Sequence, residues 1–349
     1  MKTIDVGILG GTGMVGQHFI RFLQGHPWFN LTWLGASDRS SGKKLKDATS
    51  WRLDGDIPSS AAEIIVSDSK PSASAPRLVF SAMDASVATD IERAFAQAGH
   101  IIVSNSRNHR MEVDVPLIVP EVNPGHLELL RGQQKARGWK GMIVTNPNCS
   151  TIVLTMALAP LVPFGIEKVI VATLQAISGA GYPGVASMDI MANVVPFIGA
   201  EEEKMQQETQ KILGTFLNGA ITPLPARVSA HCNRVPVTDG HVITASIALA
   251  KKPSASAVQA AVENFQGVPQ QRKLPSAPSK PLTYLPQADR PQPRRDAMCE
   301  NGMGVTVGRI RECPVLDIKL VACGHNTIRG AAGAAVLNAE LMASEGFFD

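Results

Sequence analysis

Between Thr3 and Val144 short apolar runs alternate with stretches of helical periodicity. "IDVGIL" leads into "MVGQHFIRFLQ". Then come "LTWLGAS", "RLVFSAM", the amphipathic "SVATDIERAFAQAG", "HIIVSNS", "VPLIVPEV" and "MIVTN". Such alternation predicts a parallel sheet with crossover helices, a doubly wound α/β domain. After Cys149 a helical run ends near Pro160, and β-rich stretches take over: "EKVIVATLQAIS", "RVSAHCNRVPV", "HVITASIALAK", "GVTVGRIREC" and "VLDIKLVAC". Asp239-Gly240 stands between two of these like a hairpin turn, which predicts an α+β second domain with a mainly antiparallel sheet. Gly267 to Arg295 is dense in proline and basic residues and is expected to be a surface excursion. The tail "HNTIRGAAGAAVLNAELMA" reads as an alanine-rich helix that returns to the first domain. The expected division is 1–147, completed by 326–349, and 148–325.

Composition narrows the partners. A length of 349 residues, 44% apolar and 18% charged, suits two globular domains and excludes a disordered chain. With 33 basic against 30 acidic residues and no basic stripe, no nucleic-acid partner is expected. The most apolar stretch, Ile152 to Ile166, is broken by Pro160 and Pro163, so no membrane span is expected, and the N-terminus lacks a secretory pattern. Five cysteines without a C-x-x-C pair point to free thiols in a reducing cytoplasm. The partner is expected to be a small molecule.

"GGTGMVG" places Gly10, Gly13 and Gly16 between a strand and a helix, where main-chain N–H groups and a helix N-terminus can meet a pyrophosphate. Thr12, Met14 and Val15 belong to the same cradle. The spacing departs from G-x-G-x-x-G, and a glycine-rich turn that binds nothing is the plain alternative; the strand-turn-helix setting favours a Rossmann-like dinucleotide site. At the end of the second strand, "ASDRSSGKK" offers Asp38 for an NAD ribose and Ser37, Arg39 and Ser40 for the extra phosphate of NADP. A dianion favours the arginine with the serine hydroxyls, so NADP is expected, against a merely solvated loop.

"TNPNCST" sets Cys149 at the start of a helix, where the macrodipole favours a thiolate. A buried structural cysteine is the ordinary alternative, but ligands bind at this end of such sheets. A reacting thiolate needs an acid/base partner: His241, after Asp239-Gly240, has the best setting, with His231 as competitor. Arg234 can hold a carboxylate in two places at once. His231, Cys232, Cys323 and His325 fit no common zinc spacing, so no metal is expected.

Together the glycine loop, "GASDRSSGKK", "SNSRNHRMEVDVPLIVPEVNP", "NPNCST", "ISGAGYPG", "GAEEEKM", "RVPVTDGH" and "HNTIRGAAGAA" resemble aspartate-semialdehyde dehydrogenase of the archaeal and fungal type, in order and over essentially the whole chain. The resemblance implies NADPH-dependent reduction of L-aspartyl-4-phosphate to L-aspartate-4-semialdehyde through a cysteine thioester, in the pathway to lysine, methionine and threonine, by a homodimer or homotetramer. It implies Cys149 as nucleophile and His241 as general acid/base. Arg234 would grip the α-carboxylate, Arg110 and Lys204 the phosphate, and Glu201 the ammonium group. Asn148 and Gln175 would place the substrate; Ser178, Gly179 and Asn326 would lie at the cofactor. Main-chain N–H groups near Cys149 would support the oxyanion.

Read without the resemblance, "EEEKMQQETQK" is an ordinary solvated helix face, and Arg110 a loop salt-bridge partner. Glu202 and Glu203 compete with Glu201, and Arg107 and Asn108 with Arg110. A malonyl-CoA reductase would share the cysteine but not the acyl donor. N-acetylglutamyl-phosphate reductase lacks support around the cysteine, and glyceraldehyde-3-phosphate dehydrogenase would show a second cysteine where Val153 stands. A non-catalytic dinucleotide sensor would have lost the thiol or the histidine.

Overall fold

The computed structural model describes residues 3 to 348. Strands β1 (Ile4–Leu9), β2 (Phe29–Ala36), β3 (Val66–Asp68), β4 (Leu78–Ser81), β5 (Ile101–Ser104) and β6 (Met142–Thr145) form a sheet in the order β3-β2-β1-β4-β5-β6. Every pairing in it is parallel. The order reverses between β1 and β4, so a crevice opens beyond the carboxyl ends of the strands.

All four residues of β4, β5 and β6 are buried, as helices on both faces require. On one face Val6, Ile8, Phe80, Val103 and Val144 pack with Phe19 and Ile20 of helix Met14–Leu23. The same cluster takes in Ala335, Val336, Leu337, Leu341 and Met342 of helix Gly333–Ser344. On the other face Leu9, Val79, Ile102 and Ile143 meet Phe95 and Ala96 of helix Ala85–Ala98.

The second sheet uses β7 (Ile166–Gln175), β10 (Arg227–Arg234), β11 (His241–Leu249), β12 (Leu282–Leu285), β13 (Val305–Glu312) and β14 (Ile318–Gly324), while β8 (Thr215–Leu217) and β9 (Ala220–Thr222) form a separate small hairpin. Its order is β10-β7-β11-β14-β13-β12. The three inner pairings are antiparallel and the two outer ones parallel. Helices Cys149–Leu158, Glu201–Ile212 and Ala255–Glu263 cover one face, burying Val169, Val171, Ile243, Ala245 and Ile247 against Ile152, Met156, Met205 and Val258. The opposite face leaves Ile170 and Leu174 of β7 exposed.

Three expectations are corrected. Asp239-Gly240 is no hairpin turn, because β7 lies between β10 and β11 and the connection passes over its end. "VPLIVPEV" is buried but makes only an isolated bridge, Leu117 to Thr145. Pro116 and Pro120 lack the N–H groups a ladder needs, so the run is tied instead by Thr145 N–H on Pro116 O and Ile118 N–H on Thr145 O. The proline-rich segment is not wholly a surface excursion: β12 is the edge strand of the second sheet, and Leu274 and Leu282 are buried. An edge position tolerates the flanking Pro281 and Pro286.

Candidate active site

The parallel pairing of β10 with β7 and the antiparallel pairing of β7 with β11 bring three strand ends together. Arg234 closes β10 opposite Gln175, and His241 opens β11 one position beyond the Val242–Leu174 pair. Ala176, just past β7, is held from both sides: its carbonyl accepts from Arg234 Nη1 at 2.7 Å and its N–H donates to His241 Nδ1 at 3.0 Å. A main-chain N–H can only donate. Nδ1 is therefore the acceptor, the neutral ring carries its proton on Nε2, and Nε2 stands 3.2 Å from Cys149 Sγ. His231, the competing base, is exposed on β10, on the face opposite that of Cys232 and Arg234.

Asn148 caps the Cys149 helix; its side-chain oxygen accepts from the N–H groups of Ser150 at 2.9 Å and Thr151 at 3.2 Å. Of the main-chain N–H groups near Cys149 expected as oxyanion support, those of Ser150 and Thr151 are thus already engaged. The Asn148 amide Nδ2 donates to Glu201 at 2.7 Å, and Gln175 Nε2 donates to the same Glu201 oxygen at 3.0 Å. Lys204 Nζ reaches the other oxygen at 3.0 Å.

The plain reading of "EEEKMQQETQK" as a solvated face fails for its inner stripe, since Glu201 is 5% and Glu208 2% exposed. Glu201 points inward, Glu202 accepts the N–H of Cys232, and Glu203 lies at the rim of a cleft of about 410 Å³. Arg107, Asn108, Arg110 and Lys204 line that cleft. Asn108 is tied to Ser106 and to the carbonyl of Ala85, whereas Arg110 pairs with Glu208 at 2.9 Å and with Asn105 O at 2.8 Å.

Burial, helped by the Glu201 carboxylate, pushes the Cys149 thiol up to about 12, against the pull of Arg234 and Arg110. Burial and then Arg234 lower His241 to about 3. Burial thus favours the neutral form of both groups, against the expectation of a standing thiolate: helix position is outweighed by loss of water. Burial opposes charge on Glu201 too, but Lys204 with the Gln175 and Asn148 amides holds its pKa below the usual value.

At the other end of the crevice a Cβ on Gly16 would lie 2.3 Å from Gly10 O, so no side chain fits there. A Cβ on Gly13 would meet only ordinary contact, 3.5 Å from Gly10 O. Its absence leaves the N-terminus of helix Met14–Leu23 uncovered, with no side-chain cap and no acidic residue in the first turn. The Thr12 carbonyl is held by Thr49 Oγ1 at 2.8 Å, while Met14 and Val15 are half-buried in that first turn. This is a fit for a pyrophosphate. Ser37 and Arg39 are exposed just beyond β2, and Ser40 N–H closes a turn onto Ser37 O. Asn326 joins the two halves of the site: its Oδ1 accepts from Gly240 N–H and its Nδ2 donates to Ser178 Oγ, each at 2.8 Å. Gly179 packs so closely that a Cβ there would sit 2.9 Å from Arg234 Nη1 and 3.0 Å from His241 Cε1.

Glu208, Lys211, Ala176 and Gly330 were not singled out by sequence reasoning. Glu208 and Lys211 repeat the face of Glu201 at seven and ten residues, a signal present in the helix pattern. Gly330 lies against Cys149, where a Cβ would come within 2.5 Å of Cys149 Cβ, and nothing local marks it.

Two family profiles match the chain: the semialdehyde dehydrogenase NAD binding domain over residues 5–130 and the semialdehyde dehydrogenase dimerisation domain over residues 158–329. The aspartate-semialdehyde dehydrogenase of Methanothermobacter thermautotrophicus is 49% identical, with 97% of this chain and 99% of that protein covered. That of Candida albicans is 46% identical, with 98% of each covered. The crystal structure of aspartate semialdehyde dehydrogenase with NADP from Candida albicans superposes with a TM-score of 0.92 at 44% identity over 99% of both chains.

Proposed function

Because the chain belongs to the aspartate-semialdehyde dehydrogenase family, we propose that it performs the NADPH-dependent reductive dephosphorylation of L-aspartyl-4-phosphate to L-aspartate-4-semialdehyde in amino-acid biosynthesis, with Cys149 as nucleophile. The observation that carries the residue assignment is the 3.2 Å approach of His241 Nε2 to Cys149 Sγ beside Arg234 and Glu201.

Cys149 sulfur, ionised as substrate binds by passing its proton through water to the phosphate oxygens, attacks the acyl carbon; the carbon–oxygen bond to phosphate breaks, and phosphate leaves with the electron pair and that proton. NADPH, when bound, supplies a hydride to the resulting thioester carbon. Collapse of the tetrahedral alkoxide re-forms the carbonyl and returns the electron pair to Cys149. The Nε2–H of His241 donates to that sulfur while it is anionic and to the alkoxide once it has formed. This orientation favours the role of donor over that of base, since a second proton on Nδ1 would face the Ala176 N–H. Arg234 holds the α-carboxylate and Glu201 the ammonium, with Asn148 and Gln175 fixing Glu201. Arg110 and Lys204 neutralise the phosphate.

NADP is the cofactor, held by Gly10, Thr12, Gly13, Met14, Val15 and Gly16 at the pyrophosphate and by Ser37, Arg39 and Ser40 at the extra phosphate; the uncovered helix N-terminus supports this. Ser178, Gly179 and Asn326 complete the pocket at the nicotinamide. We keep the division into 1–147 with 326–349 and 148–325, supported by the tail's apolar residues in the first cluster. A dimerisation profile and the exposed Ile170 and Leu174 on one face of the second sheet support a homodimer, or a homotetramer built from it. Five free cysteines support a cytoplasmic location, and no helix among the described residues is long and apolar enough to cross a membrane.

The test is phosphate-dependent reduction of NADP with aspartate semialdehyde before and after thiol alkylation. Activity should require phosphate and vanish on alkylation or in Cys149→Ala. Activity that survives either change rules out the nucleophile, and activity with malonyl-CoA alone would replace the acyl donor.

A further inference from the structure

The helix that presents Glu201 offers two more buried charges to the loop of Arg110, and the roles above use neither. Glu208 Oε1 accepts from Arg110 Nη1 at 2.9 Å, and its Oε2 accepts the N–H of Asn148 at 2.7 Å. One turn further on, Lys211 Nζ donates to three main-chain carbonyls: Arg110 at 2.7 Å, Glu112 at 2.8 Å and Val115 at 2.8 Å. An ammonium has three protons, and all three fall on one short stretch of chain. We propose that Glu208 and Lys211 are positioning residues for the phosphate: Glu208 aims the Arg110 guanidinium, and Lys211 fastens the main chain on which Arg110 stands.

The inference rests on the reading of Arg110 as a phosphate ligand. Its guanidinium is held at both ends, by Glu208 on one side and by Asn105 O on the other. Three of its five donors remain for a ligand, and the buried Nε has no partner in the protein. Burying an ammonium and a carboxylate is a costly way to join a helix to a loop, for which apolar side chains of similar volume would serve as well. What the charges add is a fixed place for the guanidinium. Misplacing such a group by about 1 Å is enough to lose about two orders of magnitude in a reaction.

Burial lowers Lys211 to about 8, against the carboxylates of Asp114, Glu112 and Glu208; His126 also faces it, and Arg137 is paired with Glu112 and Asp114. As pH rises through that value the ammonium loses one of its three donors, and the loop loosens.

The experiment is steady-state kinetics in the phosphorylating direction, varying semialdehyde, NADP and phosphate in turn. Lys211→Met should raise KM for phosphate about tenfold while KM for semialdehyde moves less than about twofold. Alkylation of Cys149 by iodoacetamide should keep its rate, since Lys211 is not among the groups that set the Cys149 thiol's ionisation. In the unmodified protein KM for phosphate should climb above pH 8, and in Lys211→Met that climb should be absent. Glu208→Gln keeps an acceptor for Asn148 and loses the charge on Arg110; it should shift KM for phosphate the same way, and it decides the matter if Lys211→Met fails to fold. Unmoved phosphate KM values in both, or a parallel fall of every parameter, overturn the proposal. Arg110→Ala separates the two levels: if it raises KM for phosphate and the other variants do not, only the positioning idea falls. If it leaves KM for phosphate alone, the phosphate reading falls and takes this inference with it.

Discussion

Glu201 sits beside a thiol that has to ionise, and its charge works against that ionisation. The carboxylate is one of the two causes that raise the Cys149 pKa, burial being the larger. If the substrate ammonium group binds Glu201 as proposed, it cancels that repulsion, and the thiolate is expected to become accessible when substrate is in place. Removing the charge without the substrate should do the same. Glu201→Gln is expected to alkylate at Cys149 up to about tenfold faster at pH 8, one pKa unit being worth a factor of ten. Its kcat/KM for semialdehyde should fall by about ten- to a hundredfold for want of a charged partner. Slower alkylation in that variant would show that Glu201 does not set the thiol's ionisation. pH gives a second reading of the same balance. A thiol pKa raised above the ordinary value means that alkylation of the ligand-free protein should keep rising with pH past 9 instead of levelling there. With His241 held neutral down to about 3, no step belonging to an imidazolium should appear between pH 5 and 8. A plateau below pH 8 would contradict both shifts.

At the scale of elements, the site depends on the glycine loop that follows β7 closing tightly on two side chains. A methyl on Gly179 would press on Arg234 and on the buried His241 ring, and the ring is locked by Ala176 N–H. Gly179→Ala should therefore cost about a hundredfold in kcat/KM, through misplaced groups, with little change in melting temperature because the loop is exposed. Intact kinetics would mean that the loop shifts aside freely. This closeness cannot be read locally, and other elements show where legibility stops. Buried strands such as "LVFS", "IIVS" and "MIVT" are plain in the sequence, since both of their faces are apolar. The order of β10, β7 and β11 is not, because Asp239-Gly240 looks the same whether the strands around it pair or are parted by a third. Cys149, His241 and Arg234 stand out by residue type and setting. Glu208 does not, because a carboxylate seven residues from Glu201 writes the same pattern on a solvated helix as on one pressed against Asn148 and Arg110.

At the scale of the whole molecule, the two sheets are finished differently. Helices cover both faces of the first sheet, whereas on the second the longer helices cover one face and the short helix Pro293–Asp296, with Ala297, packs on only part of the other, over Val242 and Cys323. On that other face Ile170 is 49% and Leu174 41% exposed, although both stand mid-sheet on β7. The segment after the glycine loop adds Met188, Met191, Val194 and Phe197, each more than half exposed, and Val195 bridges it to Arg234 at the edge of β10. That much apolar surface in one region is unusual for a monomer, and a second copy of the chain would cover it symmetrically. The same segment is bonded to the strand that ends in Arg234, so association through this face is expected to steady the end of the site proposed to bind the carboxylate. Met191→Asp combined with Phe197→Asp should give a monomer in sedimentation at micromolar concentration, because a stable interface of about 800 Å² per partner tolerates few unpaired charges at its centre. The monomer should keep its fold by circular dichroism yet bind substrate more weakly, as Arg234 loses support. A double variant that remains dimeric would place the interface on another surface, and a monomer with full substrate affinity would uncouple assembly from the site.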